Sequence, residues 1–193
     1  MKKHLSVLSL YAYTPMKRAF AVILSMTGLE LLYAFLKASG KISYAQKSAM
    51  FQLLTADLDR VIFLAAEVLL WAVLARDHVL LKGGAKYCLM RRGTSKFSNF
   101  VLNTLANVLY LVLFWIARGV SVILQLRIYE SYGVMAAGPQ GAFLSLISDF
   151  DNLMAMPMDY RPGWIFAALM IAVSAISAAG ITAARLKGQM RES

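Results

Sequence analysis

The chain of 193 residues has one cysteine and two histidines, and these scarcities remove a good deal of chemistry. A lone thiol, Cys88, forms no internal disulfide. It falls in a stretch expected to be cytoplasmic, where thiols stay reduced, and reads as an ordinary small side chain. His4 and His78 are isolated at the ends of apolar stretches, so no histidine constellation offers general acid–base work. HExxH, GxSxG, a Walker lysine loop and paired-cysteine metal motifs are all missing. Asp149-Phe150-Asp151-Asn152 opens like a calcium loop, but the later ligands and the turn glycine do not follow, and a solvated acidic turn is expected. No metal, no cofactor and no catalytic residue is therefore expected. An intramembrane enzyme would need a clustered acid, base or metal site that the sequence does not contain.

Charge is also scarce. Only 16% of the residues are charged, 60% are hydrophobic, and the mean hydropathy of +0.62 is too high for a soluble domain of this size to hide. No internal repeat or low-complexity tract breaks the pattern. Four long apolar stretches do stand out, at residues 15–36, 61–81, 101–126 and 164–186. Crossing a bilayer takes about 20 mostly apolar residues, and in hydrocarbon only a helix or a closed barrel satisfies its own backbone. Barrel strands alternate, and Leu109-Tyr110-Leu111-Val112-Leu113-Phe114-Trp115-Ile116 does not. The expected fold is all-α, a polytopic transmembrane helical bundle of four spans forming one membrane domain over residues 1–193.

The formal net charge of +10 raises nucleic acid as a partner, but the basic residues are strung through the connections and not gathered on one soluble domain, so no nucleic acid is expected. They read as topology signals. Lys2, Lys3, Lys17 and Arg18 precede or open span one. Arg76, Lys82, Lys86, Arg91, Arg92 and Lys96 lie at and beyond the end of span two, and Arg185, Lys187 and Arg191 end the chain. The opposite side has only Lys37, Lys41, Lys47, Arg60, Arg127 and Arg161. The positive-inside rule then makes both termini cytoplasmic. No cleavable leader is recognisable, because residues 5–13 are short and interrupted by serines, so the first helix is expected to be retained.

Residues 1–14 read as a cytoplasmic interfacial arm, with Leu5, Leu8 and Ala12 at helical spacing beside Lys2, Lys3 and Ser9. Thr14-Pro15 offers an N-cap and a first-turn proline for span one. Span two is interrupted by Glu67 and followed early by Arg76-Asp77-His78, so it is expected to end early or to continue as a cytoplasmic extension. Gly83-Gly84 then breaks the basic connection, residues 82–100. Outside, residues 44–54 suggest one helical stretch, and in the outer connection 127–163 an apolar piece at 142–147 is too short to span. A short tail, 187–193, returns to the cytoplasmic side.

Three ionisable residues fall within spans. Counting 1.5 Å per residue puts Glu30 and Arg118 roughly 20–26 Å from the cytoplasmic end and Glu67 roughly 9 Å below the outer end of span two, one shared depth. An unpaired charge there is costly, so Arg118 is expected to pair with Glu30 or Glu67. On span three, Asn103, Asn107, Arg118, Ser121 and Gln125 share an arc of about 60°. That face either lines a substrate path or is a buried seam whose amides bond neighbouring helices. Span four has rows of alanine, serine and glycine, for example Ala172, Ala175, Ala179 and Gly180. Such rows suit close packing within the chain or a seam with a second copy or another subunit.

Two segments carry a resemblance. Tyr87-Cys88-Leu89-Met90-Arg91-Arg92-Gly93 through Asn103, Asn107, Tyr110 and Trp115, together with Tyr11-Ala12-Tyr13-Thr14-Pro15-Met16-Lys17-Arg18, resemble small bacterial membrane proteins of ABC-type export systems in the ABC-2 permease style. The resemblance implies a multi-pass protein of the bacterial plasma membrane with an interfacial helix before span one. The connection between spans two and three would contact an ATPase subunit through Arg91, Arg92 and Lys96, and ATP would be hydrolysed on that separate subunit. Such permeases usually have six spans per half, so four spans imply a reduced permease, one of a pair, or an accessory subunit. Four spans without an enzyme motif equally fit a non-transporting anchor, regulator or assembly protein.

Overall fold

The structure, a computed structural model, describes residues 2–40, 57–77, 95–133 and 163–189, and these are helical apart from short turns, with no strand among them. Five helices follow in order: α1 Lys2–Tyr13, α2 Met16–Ala38, α3 Asp57–Asp77, α4 Lys96–Ser131 and α5 Gly163–Gln189. The expected helical stretch at 44–54, Gly83-Gly84, the apolar piece at 142–147 and the acidic turn at 149–152 lie outside the described residues.

The helices start and stop where local chemistry permits. Between α1 and α2 the expected N-cap is used differently. The Thr14 hydroxyl donates back to the Leu10 carbonyl (2.7 Å) and so closes α1, a bond short hydroxyl side chains readily make to the preceding turn. The Pro15 carbonyl accepts the first bond of α2, from the Ala19 amide (2.8 Å). At the other end Gly40 takes φ +70° and donates to the Lys37 carbonyl (3.2 Å), the left-handed stop that suits glycine. α4 starts at a serine cap: Ser95 Oγ accepts from the Ser98 amide (3.1 Å). It ends at Gly133, φ +67°.

Helix bounds therefore outrun the apolar stretches. α4 has 36 residues, about 54 Å, and overshoots the expected 101–126 by about a turn at each end. α3 includes residues from Asp57, one turn before 61. Among the described residues two helices, Met16–Ala38 and Phe97–Ser131, are long and apolar enough to cross a membrane, and the Ala168–Ala184 part of α5 is a shorter apolar stretch. Only 28% and 44% of the two long apolar stretches are buried, whereas the core helix of a soluble domain is buried for most of its length.

Apolar side chains line both the interior and the surface of these helices. Large apolar side chains are exposed on all four long helices, for instance Leu24 (69%), Val68 (62%), Ile116 (57%) and Val173 (63%), while Glu30, Asn107, Ser121 and Gln125 are fully buried.

The chain divides into two compact units, one of Met1–Val22, Glu67–Phe114 and Met170–Ser193, the other of Ile23–Ala66 and Trp115–Leu169. In the first, α1 lies against the beginning of α4. Val7 and Tyr11 pack with Leu102 and Ala106, and Leu8 and Leu10 flank them. Burial pushes the Tyr11 phenol above its ordinary range, so it stays neutral at physiological pH. The Tyr110 hydroxyl donates to the Ala12 carbonyl, and the Phe20 ring meets the Tyr110 ring edge-on at 6.4 Å. Tyr110→Phe removes that donor at a cost of about 1 kcal/mol. Loosening α1 by this much should speed limited proteolysis at the α1–α2 junction about five-fold, and an unchanged cleavage rate would show that this bond does not hold the arm.

Also in the first unit, Ala175, Ala178, Ala179 and Thr182 form the buried face of α5, and their small size lets α3 and α4 approach. Ala172, Gly180, Ala183 and Ala184 face outward, so small residues occupy both sides of this helix.

Candidate functional site

All five residues of the polar face expected on span three are buried, whereas Val112, Ile116 and Val120 are exposed. The face divides between the two units, Asn103 and Asn107 in the first and Arg118, Ser121 and Gln125 in the second.

In the second unit the centre of the polar interior is an ion pair. Arg118 Nη1 lies 2.6 Å from Glu30 Oε1, with side chains 3% and 0% exposed. The Arg118 guanidinium also sits 5.4 Å from the centroid of the Phe63 ring, which in turn meets Trp115 edge-on at 5.1 Å. The cation is thus shared between a carboxylate and an aromatic face, the arrangement a desolvated guanidinium needs. One and two turns further along α4, Gln125 Nε2 donates to Ser121 Oγ (3.4 Å), and Gln125 Oε1 is buried with no hydrogen-bond partner among the described residues.

The first unit is knit by bonds from α3 and α4 to α5. Trp71 Nε1 donates to Ser177 Oγ (2.9 Å), and Asn107 Nδ2 donates to the Ala175 carbonyl (3.3 Å). Thr182 Oγ1 is 3.5 Å from the Ala75 carbonyl and donates to the Ala178 carbonyl at 3.0 Å. Asn103 Oδ1 and both carboxyl oxygens of Glu67 are buried and find no hydrogen-bond partner among the described residues.

Of the three expected intramembrane charges, then, Glu30 and Arg118 are joined, and Glu67 is buried in the first unit without an ion pair among the described residues. Arg91 and Arg92 lie outside the described residues, and Lys96 is the first residue of α4. Four buried groups escaped the sequence reading: Lys37 (3% exposed), Thr182, Tyr129 and Trp115. Lys37 follows Glu30 by seven residues and so shares its helix face. Its Nζ folds back to 5.7 Å from the centroid of the Tyr33 ring. Tyr129 follows Gln125 by four residues and Arg118 by eleven, again one face. Periodicity from the charged residues, continued past the apolar stretch, would have found both. Among the described residues no group of three or more histidine, cysteine, aspartate or glutamate side chains is placed to hold a metal ion.

Comparison with known proteins finds no matching family model, no matching curated protein and no matching solved structure.

Proposed function

We propose that this chain is a multi-pass protein of the bacterial plasma membrane with four spans, α2 to α5, and both termini cytoplasmic, serving as the permease-like subunit of an ABC-type transport system. The observation that supports a membrane setting is the distribution of exposed and buried groups: large apolar side chains are exposed on every long helix described, while amides, acids and a guanidinium are buried within the apolar core. Lipid tolerates the first and demands the second. α3 is too charged to pass as a span on composition, yet Val61, Val68 and Leu69 make its outward face apolar, and Glu67 is turned inward.

Support for the transport assignment is the resemblance in residues 11–18 and 87–115, together with one packing relation. α1 is docked through Val7 and Tyr11 on Leu102 and Ala106, at the start of the helix that emerges from the basic connection. An interfacial arm docked on the start of that helix suits contact with a cytoplasmic partner, an ATPase subunit. A second membrane subunit or a second copy would complete the pathway, and ATP hydrolysis belongs to the partner.

The non-transporting reading, an anchor, regulator or assembly protein, draws support from the complete burial of Asn107, Ser121 and Gln125, which suits a seam better than a wet path. Tagged protein purified in mild detergent from its native cells distinguishes the two. The transport reading expects an ABC ATPase to co-purify, with at least ten-fold less recovered after Arg91, Arg92 and Lys96 are replaced by Ala. Purification of the chain alone, or with unrelated partners, would transfer the assignment to the anchor.

A further inference from the structure

Glu67 stands ten residues into α3, is 4% exposed, and neither of its carboxyl oxygens has a partner among the described residues. One turn further along α3, Trp71 is committed to Ser177. On α4, Asn107 donates one of its two amide hydrogens to the Ala175 carbonyl, and Asn103 Oδ1 is buried with no hydrogen-bond partner among the described residues. The orphaned buried side-chain atoms of this unit are thus three oxygens, all acceptors, so the component they lack is a hydrogen.

Among the side chains described in this unit, none supplies a counter-ion. Lys17 and Arg18 of α2 and Arg76 of α3 are exposed at helix ends. Tyr11 and Tyr13 of α1 and Tyr110 of α4 are phenols, and α5 has no charged side chain among those described in this unit. An ionised carboxylate would be stranded in a medium that penalises it heavily, whereas the neutral acid carries no charge, needs no counter-ion and has an O–H to donate. A metal cation would require several ligands around it, and among the described residues no three histidine, cysteine, aspartate or glutamate side chains come together to hold one.

From this geometry we infer that Glu67 is a buried proton-binding site, its carboxyl stored as the neutral acid and exchanging its proton whenever this unit opens to water. The protein thereby acquires a proton-linked step that the Arg118–Glu30 pair, already charge-balanced, does not offer. The inference rests on the proposed placement of α3 in the bilayer.

The test uses the full chain in phospholipid vesicles treated with dicyclohexylcarbodiimide, an apolar reagent specific for protonated carboxyls. The carboxyl adds across a C=N bond, its oxygen bonding to the central carbon and its proton going to nitrogen. Acyl migration then gives an N-acylurea from which nothing leaves. Peptide mass spectrometry should find a single adduct at Glu67, reduced at least ten-fold when a charged, water-soluble carbodiimide replaces the apolar one. Glu67→Gln, which mimics the neutral acid, should abolish the adduct and keep the melting temperature of the parent protein. An unmodified Glu67, equal labelling by both reagents, or a Glu67→Gln protein destabilised as much as Glu30→Gln would each overturn the inference. Alkaline extraction of the same vesicles separates the two premises. Protein that washes out overturns the membrane reading and this inference with it; protein that stays in the lipid but is unlabelled overturns this inference alone.

Discussion

Arg118→Leu should lower the stability of the folded chain by about 3–5 kcal/mol, because it leaves the fully buried Glu30 carboxylate without its cation. Loss of the Phe63 ring contact adds about 0.5–2 kcal/mol. The informative variant is the double one. With Glu30→Gln added, the stranded charge is gone, and a neutral pair in a buried setting often costs little compared with the intact ion pair. The combined variant should therefore be more stable than Arg118→Leu alone, with a coupling energy of about 1–3 kcal/mol of the sign that direct pairing requires. Unfolding in mixed micelles at graded denaturant, for the parent, both singles and the double, measures this directly. Strictly additive losses would mean that the 2.6 Å contact contributes nothing beyond two independent buried groups.

That pair also shows how far the sequence could be read. Counting residues from the cytoplasmic end gives height within a helix, and height alone placed Glu30, Glu67 and Arg118 at a common depth. It does not give the azimuth of one helix relative to another, and so it offered Arg118 two acids without choosing between them. Helix order was legible because long apolar stretches without alternation suit helices, and α2 to α5 fall on the four of them. The bounds were not, since an apolar stretch reports where lipid or core is suited and a helix stops where its backbone is capped. Ser95 and Gly133 set the ends of α4, and both lie beyond residues 101–126. The same error hid Lys37. With span one stopped at residue 36 it read as a residue of the outer connection, yet α2 runs on to Ala38 and keeps Lys37 on the buried face of Glu30. Thr14 was recognised as a junction residue, but its hydroxyl serves the helix behind it and not the one ahead. Such a choice depends on which carbonyl is within reach, and spacing does not encode it.

Leu24→Arg gives the sharpest separation between a bilayer and water as the surroundings of these helices. Leu24 is 69% exposed and lies eight residues into the 23-residue α2, close to the middle of the proposed span. On a soluble protein an exposed substitution of this kind stays within about 0.5 kcal/mol of neutral. In hydrocarbon it exchanges a favourable leucine for an arginine that costs about 2.5–3.5 kcal/mol near a helix centre, so the equilibrium constant for insertion should fall by about two to three orders of magnitude and membrane accumulation with it. Val173→Arg on α5, at 63% exposure, should behave alike. Ser9→Arg on the exposed side of α1 should leave insertion unchanged, because the arm is proposed to lie at the interface where arginine meets water and headgroups. Membrane fractionation of cells expressing the three variants reads the outcome. If Leu24→Arg and Val173→Arg accumulated at parental levels and resisted alkaline extraction like the parent, neither face would be touching lipid, and the outward apolar surface would have to be covered by protein instead.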